Sequence, residues 1–383
     1  MGDRESPNGA AGWAYELRGA IERISKGEDL GLEGSRSCAR KVFELLSKDF
    51  AEAPLISLAF FGSLSMKGLS EGELIGIAKA MEETKSVALE FDPSKPVVTA
   101  GGTGGDTIPT MNVTTPSVLV AASAGSISLK SGSKSFSSRT GAIDLSIELG
   151  INADLSPEGV KRCVDETGTV VWSSDRAYPW MGRIIKLKEL EAFPAIVPLM
   201  GSLRLAIAAA LNPFSLKRQV RGTAVGSTEL IATVLKGMGY ERALVPMGFG
   251  DGGGIVIDEF SNIGKTTVSE LRGGSIETYE VTPEEVGIRR GRPEEIASGG
   301  SHRENALKAL RVLTGKDRGP RRDLISINSA AILYIGGVCG DLRDGVELSE
   351  EAMDSGRALG KLRRLVAVSG GDLHRLEALL REV

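Results

Sequence analysis

The chain has 383 residues, of which 46 are Lys or Arg and 50 are Asp or Glu, for a formal net charge of −4. That length is too great for one small core and implies two domains, while the mild acidity leaves no basic footprint, so neither a nucleic-acid nor a membrane partner is expected. Cys38, Cys163 and Cys339 are too dispersed for a metal motif, and the polar start lacks an apolar signal segment, so a cytoplasmic location is expected.

Residues 1–14 read as a disordered N-terminal extension. From 15 to 90 only helical spacing occurs. Leu17, Ile21 and Ile24 recur on one face, and Val42, Phe43 and Leu46 on the next. Ser70 and Glu73 form a capping box ahead of the stripe Leu74, Ile77, Ala78 and Met81. A further helical stretch, about 182–212, is expected to join this helical domain. From Val97 the pattern changes to short apolar runs alternating with helices: Val97-Val98, Ile127 to Leu129, Val170 to Trp172, Ala243 to Val245 and Ile255 to Ile257. Such alternation predicts an α/β domain over 91–181 and 213–367, its mostly parallel sheet covered by helices on both faces. Helices are expected at 304–313, 326–335 and 349–366, the last capped by Ser349, with 368–383 as a C-terminal extension.

Three segments inside this α/β pattern carry chemistry. Gly101-Gly102-Thr103-Gly104-Gly105-Asp106 follows the first strand, and its glycines permit positive φ and close backbone approach. Asn112-Val113-Thr114-Thr115-Pro116 opens a helix, with Thr115 read as N-cap and Pro116 as first residue. Lys130-Ser131-Gly132-Ser133-Lys134 ends the second strand. Two strand ends, a helix N-terminus and a lysine can surround a large phosphate ligand with N–H groups, hydroxyls and one positive charge. Ser137, Ser138 and Thr140 offer further hydroxyls before the helix containing Asp144. Asp258-Glu259, at another strand end, suits Mg²⁺, which prefers carboxylate, water and phosphate oxygens.

Other patterns fall away. Gly264-Lys265-Thr266 ends like a P-loop but has Glu259 where the leading glycine belongs. Gly248-Phe249-Gly250-Asp251-Gly252-Gly253 has dinucleotide spacing but is followed by a strand-like run. Arg289-Arg290-Gly291-Arg292 reads as a solvated basic face. His302 and His374, the two histidines, lie far from the glycine loops, so histidine acid–base chemistry is not expected.

Taken in order, Gly102–Asp106, Asn112–Thr115, Lys130-x-Gly-x-Lys134, Ser137–Asp144, Asp258-Glu259, Glu304–Ala306 and Gly319–Asp323 with Asn328-Ser329-Ala330 resemble the anthranilate phosphoribosyltransferase family, which is related to the pyrimidine nucleoside phosphorylases. The resemblance runs from about Tyr15 to Val366. It implies a small all-helical domain hinged to a larger α/β domain with a mostly parallel central sheet, and a homodimer formed through the helical part. It also implies a reaction of tryptophan biosynthesis: the amine of anthranilate attacks the ribose C1 of phosphoribosyl pyrophosphate (PRPP), releasing pyrophosphate. By residue matching, Gly102, Gly105, Asp106, Asn112, Thr114, Thr115, Lys130 and Ser138 bind PRPP, and Thr114, Asp258 and Glu259 hold Mg²⁺.

The acceptor half departs from the family pattern. A Lys-His-Gly-Asn-Arg run is usual where this chain has Lys130-Ser131-Gly132-Ser133-Lys134, and His-His-Pro is matched by Ala177-Tyr178-Pro179. The arginine that meets the anthranilate carboxylate aligns with Lys188, with Arg183 and Lys186 as competitors. Gly102, Ser133, Tyr178, Arg183 and Lys188 therefore form the expected acceptor set. Three alternatives stand beside this reading: a phosphoribosyltransferase-like paralogue with another aromatic acceptor, a non-catalytic nucleic-acid-binding relative, which the charge of −4 disfavours, and a nucleoside phosphorylase, which the Asn112–Thr115 segment disfavours.

Overall fold

The computed structural model describes residues 7–92, 95–132, 141–187, 191 and 193–383. The chain divides into two compact units, 1–86 with 175–213 and 87–174 with 214–383. No helix among the described residues is long and apolar enough to cross a membrane.

The described secondary structure of the first unit is entirely helical. Its helices include Pro7–Ser25, Gly31–Ser47, Ala53–Lys67, Glu71–Glu83, Pro179–Lys186 and Gly201–Ala210. The first opens at Pro7, inside the stretch expected to be disordered. A proline there costs no intrahelical bond, because the first N–H of a helix has no partner in any case. The Ser70–Glu73 capping box is present, with Glu73 N–H donating to Ser70 Oγ at 3.1 Å and Ser70 N–H to Glu73 Oε2 at 3.0 Å. Gly76 lets this helix lie against Gly31–Ser47, since a Cβ there would stand 2.1 Å from Ser35 Oγ. Phe43, Phe60, Phe61 and Trp180 fill the core, Phe43 stacking on Trp180 at 4.4 Å between ring centroids. Ser202 ties Gly201–Ala210 to Ala53–Lys67 by donating Oγ–H to Phe61 O at 2.7 Å.

The second unit is built on an eight-stranded sheet: β1 Val97–Gly102, β2 Ile127–Gly132, β3 Thr169–Ser173, β4 Arg218–Gly222, β5 Arg242–Phe249, β6 Val256–Ile257, β7 Thr266–Arg272 and β8 Ser275–Val281. The order is β3-β2-β1-β4-β5-β7-β8, with β6 also pairing with β5. From β3 to β5 every pairing is parallel; β5, β6, β7 and β8 pair antiparallel. One sheet face, with Val98, Ala100, Val220, Leu244 and Val268, is covered by Val118 and Ala121 of helix Thr114–Ser123 and by Ile327, Ala330 and Ala331 of helix Pro320–Ile335. Ser269 follows Val268 and so points to the other face, where its hydroxyl donates to Thr228 of helix Thr228–Gly237 at 2.8 Å.

The structure corrects the expected elements in several places. β4 and the β7–β8 hairpin are additional strands, the latter turning on Gly273 and Gly274 with φ of +57° and +78°. The expected helix 349–366 is two helices, Leu342–Asp354 and Arg357–Val368, separated at Gly356, whose φ is +76°. Ser349 is not a cap; it is buried mid-helix, its hydroxyl donating to Gly345 O at 2.7 Å. Residues 368–383 are an integral part of this unit. Helix Leu373–Leu380 buries Leu376 and Leu379, and Asp372 N–H donates to Gly150 O at 2.8 Å.

Candidate active site

The sheet order creates a site before any side chain is considered. From β1 the chain proceeds to β2 on one side, while β4 flanks β1 on the other. Loops leaving the carboxyl ends of β1 and β4 therefore diverge, opening the crevice in which open α/β sheets bind ligands. Gly102 and Gly222 are register partners at that point. Both positions are crowded against Asp258. A Cβ on Gly102 would stand 2.0 Å from Asp258 Oδ2, and one on Gly222 would stand 1.6 Å from Asp258 O. Gly104 and Gly105 follow with φ of +67° and +99°, turning the loop back so that Gly104 N–H donates to Asp258 Oδ2 at 2.5 Å.

That turn gathers three acids. Asp106, Asp258 and Glu259 each present a carboxylate oxygen within 4.8 Å of the others. Asp258 N–H donates to Asp106 Oδ1 at 2.8 Å, and Thr110 Oγ1 donates to Asp106 Oδ2 at 3.4 Å. Loss of water and the charge of Asp258 raise the Asp106 pKa to about 8. Burial likewise raises Asp258, and burial with the charges of Asp258 and Asp106 raises Glu259 well above the ordinary carboxylate range. Glu259 Oε2 is enclosed without a hydrogen-bond partner. Lys130, 7% exposed at the end of β2, is pushed down to about 8 by burial and then by Arg221. A Cβ on Gly101 would lie 3.7 Å from Lys130 Nζ and 3.2 Å from Arg221 Nη1, so both cations converge on this loop.

Gly101, Thr114, Gly222, Asp258, Glu259 and Asn328 line one small cleft. Thr114 is thus brought beside the acidic pair. The helix starts at Thr114, two residues earlier than expected, and Pro116 is its third residue. Val113, not Thr115, stands at the N-cap, and Asn112 Oδ1 accepts from Thr115 N–H of the first turn at 3.3 Å. Thr115 is fully buried and its Oγ1 has no hydrogen-bond partner. Ser133, Ser138 and Lys188 lie outside the described residues. Of the acceptor set, Tyr178 is a core residue of the helical unit: it is 0% exposed, packs beside Trp180 and accepts from Asn212 N–H at 3.2 Å. Arg183 in the same unit pairs with Asp49.

Comparison with known proteins agrees with this geometry. Residues 94–359 match the family described as "Glycosyl transferase family, a/b domain". The anthranilate phosphoribosyltransferase of Rubrobacter xylanophilus is 35% identical over 354 residues, 92% of this chain and 97% of that protein. The enzyme of the same name from Haloferax volcanii is 36% identical over 343 residues, 89% of this chain and 97% of that one. The chain belongs to the anthranilate phosphoribosyltransferase family. Among solved structures of this family, that from Thermus thermophilus superposes with a TM-score of 0.74 at 28% identity, covering 92% of this chain and 99% of its own. The Saccharomyces cerevisiae protein in complex with PRPP and Mg shares the fold, with a TM-score of 0.77 at 22% identity over 93% of this chain and 98% of its own.

Within this anthranilate phosphoribosyltransferase-family site, Arg221 escaped the sequence reading, while Thr103 and Asn328 were quoted in its motifs without a role. Arg221 is 5% exposed on β4, the strand that was itself missed. Thr103 joins the β1 and β4 loops, its Oγ1 accepting from Ala224 N–H at 3.1 Å. Asn328 reaches the cleft from a helix. A visible signal existed for Arg221, because Val220-Arg221-Gly222-Thr223 places a charged residue between a β-branched residue and a glycine-led loop. Arg289 and Arg290, set aside from the sequence, are tied to Asp323 at 3.2 Å and Glu284 at 2.8 Å.

Proposed function

We propose that this protein transfers the phosphoribosyl group of PRPP to the amine of anthranilate, with release of pyrophosphate and with Mg²⁺, in tryptophan biosynthesis. The observation carrying the reading is the convergence of Asp106, Asp258 and Glu259 with Lys130 on the glycine loop at the sheet's switch point. Three crowded carboxylates, one with an orphaned buried oxygen, make a donor set that fits a hard divalent cation. Asp258, Glu259 and Thr114 would hold it, and when bound it neutralises charge on a departing pyrophosphate.

The chain's own groups have separate tasks in this reading. Gly102 and Gly105, with the N–H groups around Asp106 and Asn112, admit the diphosphate close to backbone; Lys130 supplies positive charge where negative charge develops. The amine nitrogen forms its bond to C1 as the bond from C1 to pyrophosphate oxygen breaks, and the nitrogen then loses a proton. A weak nucleophile needs orientation above all, so binding contributes most of the rate. Arg183 is the described cation of the acceptor set. A homodimer through the helical unit is part of the proposal, supported by the exposed Leu55 and Met66 of helix Ala53–Lys67. A cytoplasmic setting accords with three free cysteines.

A second reading keeps the donor and changes the acceptor. It is favoured by Ser131 in the usual histidine position and by the enclosed Tyr178. Calorimetry with PRPP and Mg²⁺ tests the donor site: saturable heat is expected, and its absence would remove both readings. Pyrophosphate release that depends on anthranilate supports the first; release only with other aromatic amines supports the second.

A further inference from the structure

We infer that Asn328 is a positioning residue that aims the Asp258–Glu259 pair; this rests on the metal reading above. Asn328 is 6% exposed on helix Pro320–Ile335. Its Oδ1 accepts from Phe260 N–H at 3.0 Å while its Nδ2 donates to Phe260 O at 3.0 Å. The second Nδ2 proton goes to Leu324 O at 2.9 Å, one turn back on the same helix. The carboxamide therefore pairs with Phe260 as a neighbouring strand would, and is itself locked to its helix.

The consequence falls on Glu259. Phe260 N–H belongs to the peptide that closes Glu259, so holding it sets Glu259 ψ and with it the direction of the side chain. On the other side Asp106 Oδ1 holds Asp258 N–H at 2.8 Å. The acidic pair is gripped before and after. Only an amide supplies acceptor and donors together: aspartate would face two carbonyl oxygens, and an apolar side chain would satisfy none of the groups. Phe260 adds a fully buried ring, so the turn is fixed to the core under the sheet.

The test uses the full chain with Mn²⁺ as a paramagnetic probe, titrated with PRPP present and followed by the free-ion signal. Asn328→Asp and Asn328→Ser are both made, and their melting is recorded. Weakening of Mn²⁺ binding by about 10-fold or more is expected, the scale seen when outer partners of metal ligands are lost. The fall in kcat should be partly restored by raising Mg²⁺, while KM for the acceptor stays within about twofold, the split expected of a residue acting through metal placement. Cooperatively folded variants that bind Mn²⁺ like the parent overturn the inference. So do variants whose fold is lost and not regained with Mn²⁺ and PRPP, because Asn328 then serves the core alone. No Mn²⁺ binding by the parent would instead remove the metal reading itself.

Discussion

Two glutamates with enclosed carboxylate oxygens, one in each unit, face opposite conditions. Glu73 in the helical unit is 0% exposed and complete: Lys67 Nζ lies 2.7 Å away, and Leu30 N–H and Ser70 N–H donate at 3.0 Å each. Glu259 in the α/β unit has an orphaned oxygen and two carboxylates for neighbours. A satisfied buried charge organises a fold. An unsatisfied one costs stability and calls for an explanation, which a metal ion supplies in the proposed reading.

Exchanging each glutamate for its amide separates these roles. Glu259→Gln should lower kcat by about 100-fold or more, as loss of a preorganised electrostatic group does. Its melting temperature should hold or rise, because repulsion is relieved. Glu73→Gln should do the reverse, costing about 3–5 kcal/mol by leaving Lys67 without a countercharge, with kcat retained in the folded fraction. Thermal melts beside steady-state kinetics decide it; parallel losses in both variants would erase the contrast.

The glycines sharpen the same point within the site. Gly222→Ala sets a methyl against Asp258 O, which is backbone, whereas Gly102→Ala meets the movable Asp258 carboxylate. Overpacking costs about 1–3 kcal/mol, more where nothing can give. Gly222→Ala should thus lose both stability and activity, and Gly102→Ala chiefly activity. Equal melting temperatures for the two would contradict the geometry.

Acidity offers a third comparison. A carboxyl whose folded pKa exceeds its unfolded value binds more protons folded than unfolded between the two, so stability falls as pH rises through that window. For Asp106 the window runs from its ordinary 3.8 to about 8. The chelator-treated protein should therefore be more stable near pH 6 than near pH 8, by an amount on the order of 2 kcal/mol, and melt at higher temperature there. Mg²⁺ with PRPP, or Asp106→Asn, should flatten the slope. A slope unchanged by either would place its source elsewhere.

Sequence legibility follows range. The Ser70–Glu73 box is local and read directly, as were the glycine loop after β1 and the lysine ending β2. β4 escaped because Arg218-Gln219-Val220-Arg221-Gly222 holds one apolar side chain; Gln219 and Arg221 are buried in a central strand that periodicity of apolar residues cannot reveal. The β7–β8 hairpin escaped although Gly273-Gly274 separates two β-rich runs, a usable signal. Asp106 and Asp258-Glu259 were each chosen for separate reasons. Their meeting across 152 residues depends on strand order, which no spacing displays. Tyr178 shows the converse: its position by alignment suggested ligand contact, but packing beside Trp180 is a long-range fact.

Tyr178 supplies the smallest expected effect. Tyr178→Phe keeps the ring beside Trp180 and removes only the oxygen that accepts from Asn212 N–H. Stability should drop by about 0.5–1.5 kcal/mol, with some further cost if the buried N–H finds no other acceptor. The KM values for PRPP and anthranilate and the kcat should stay within about twofold, since a hydroxyl sealed in the core touches neither substrate. A selective rise in anthranilate KM at unchanged stability would show that the hydroxyl reaches the acceptor. The contact first expected of Tyr178 would then stand.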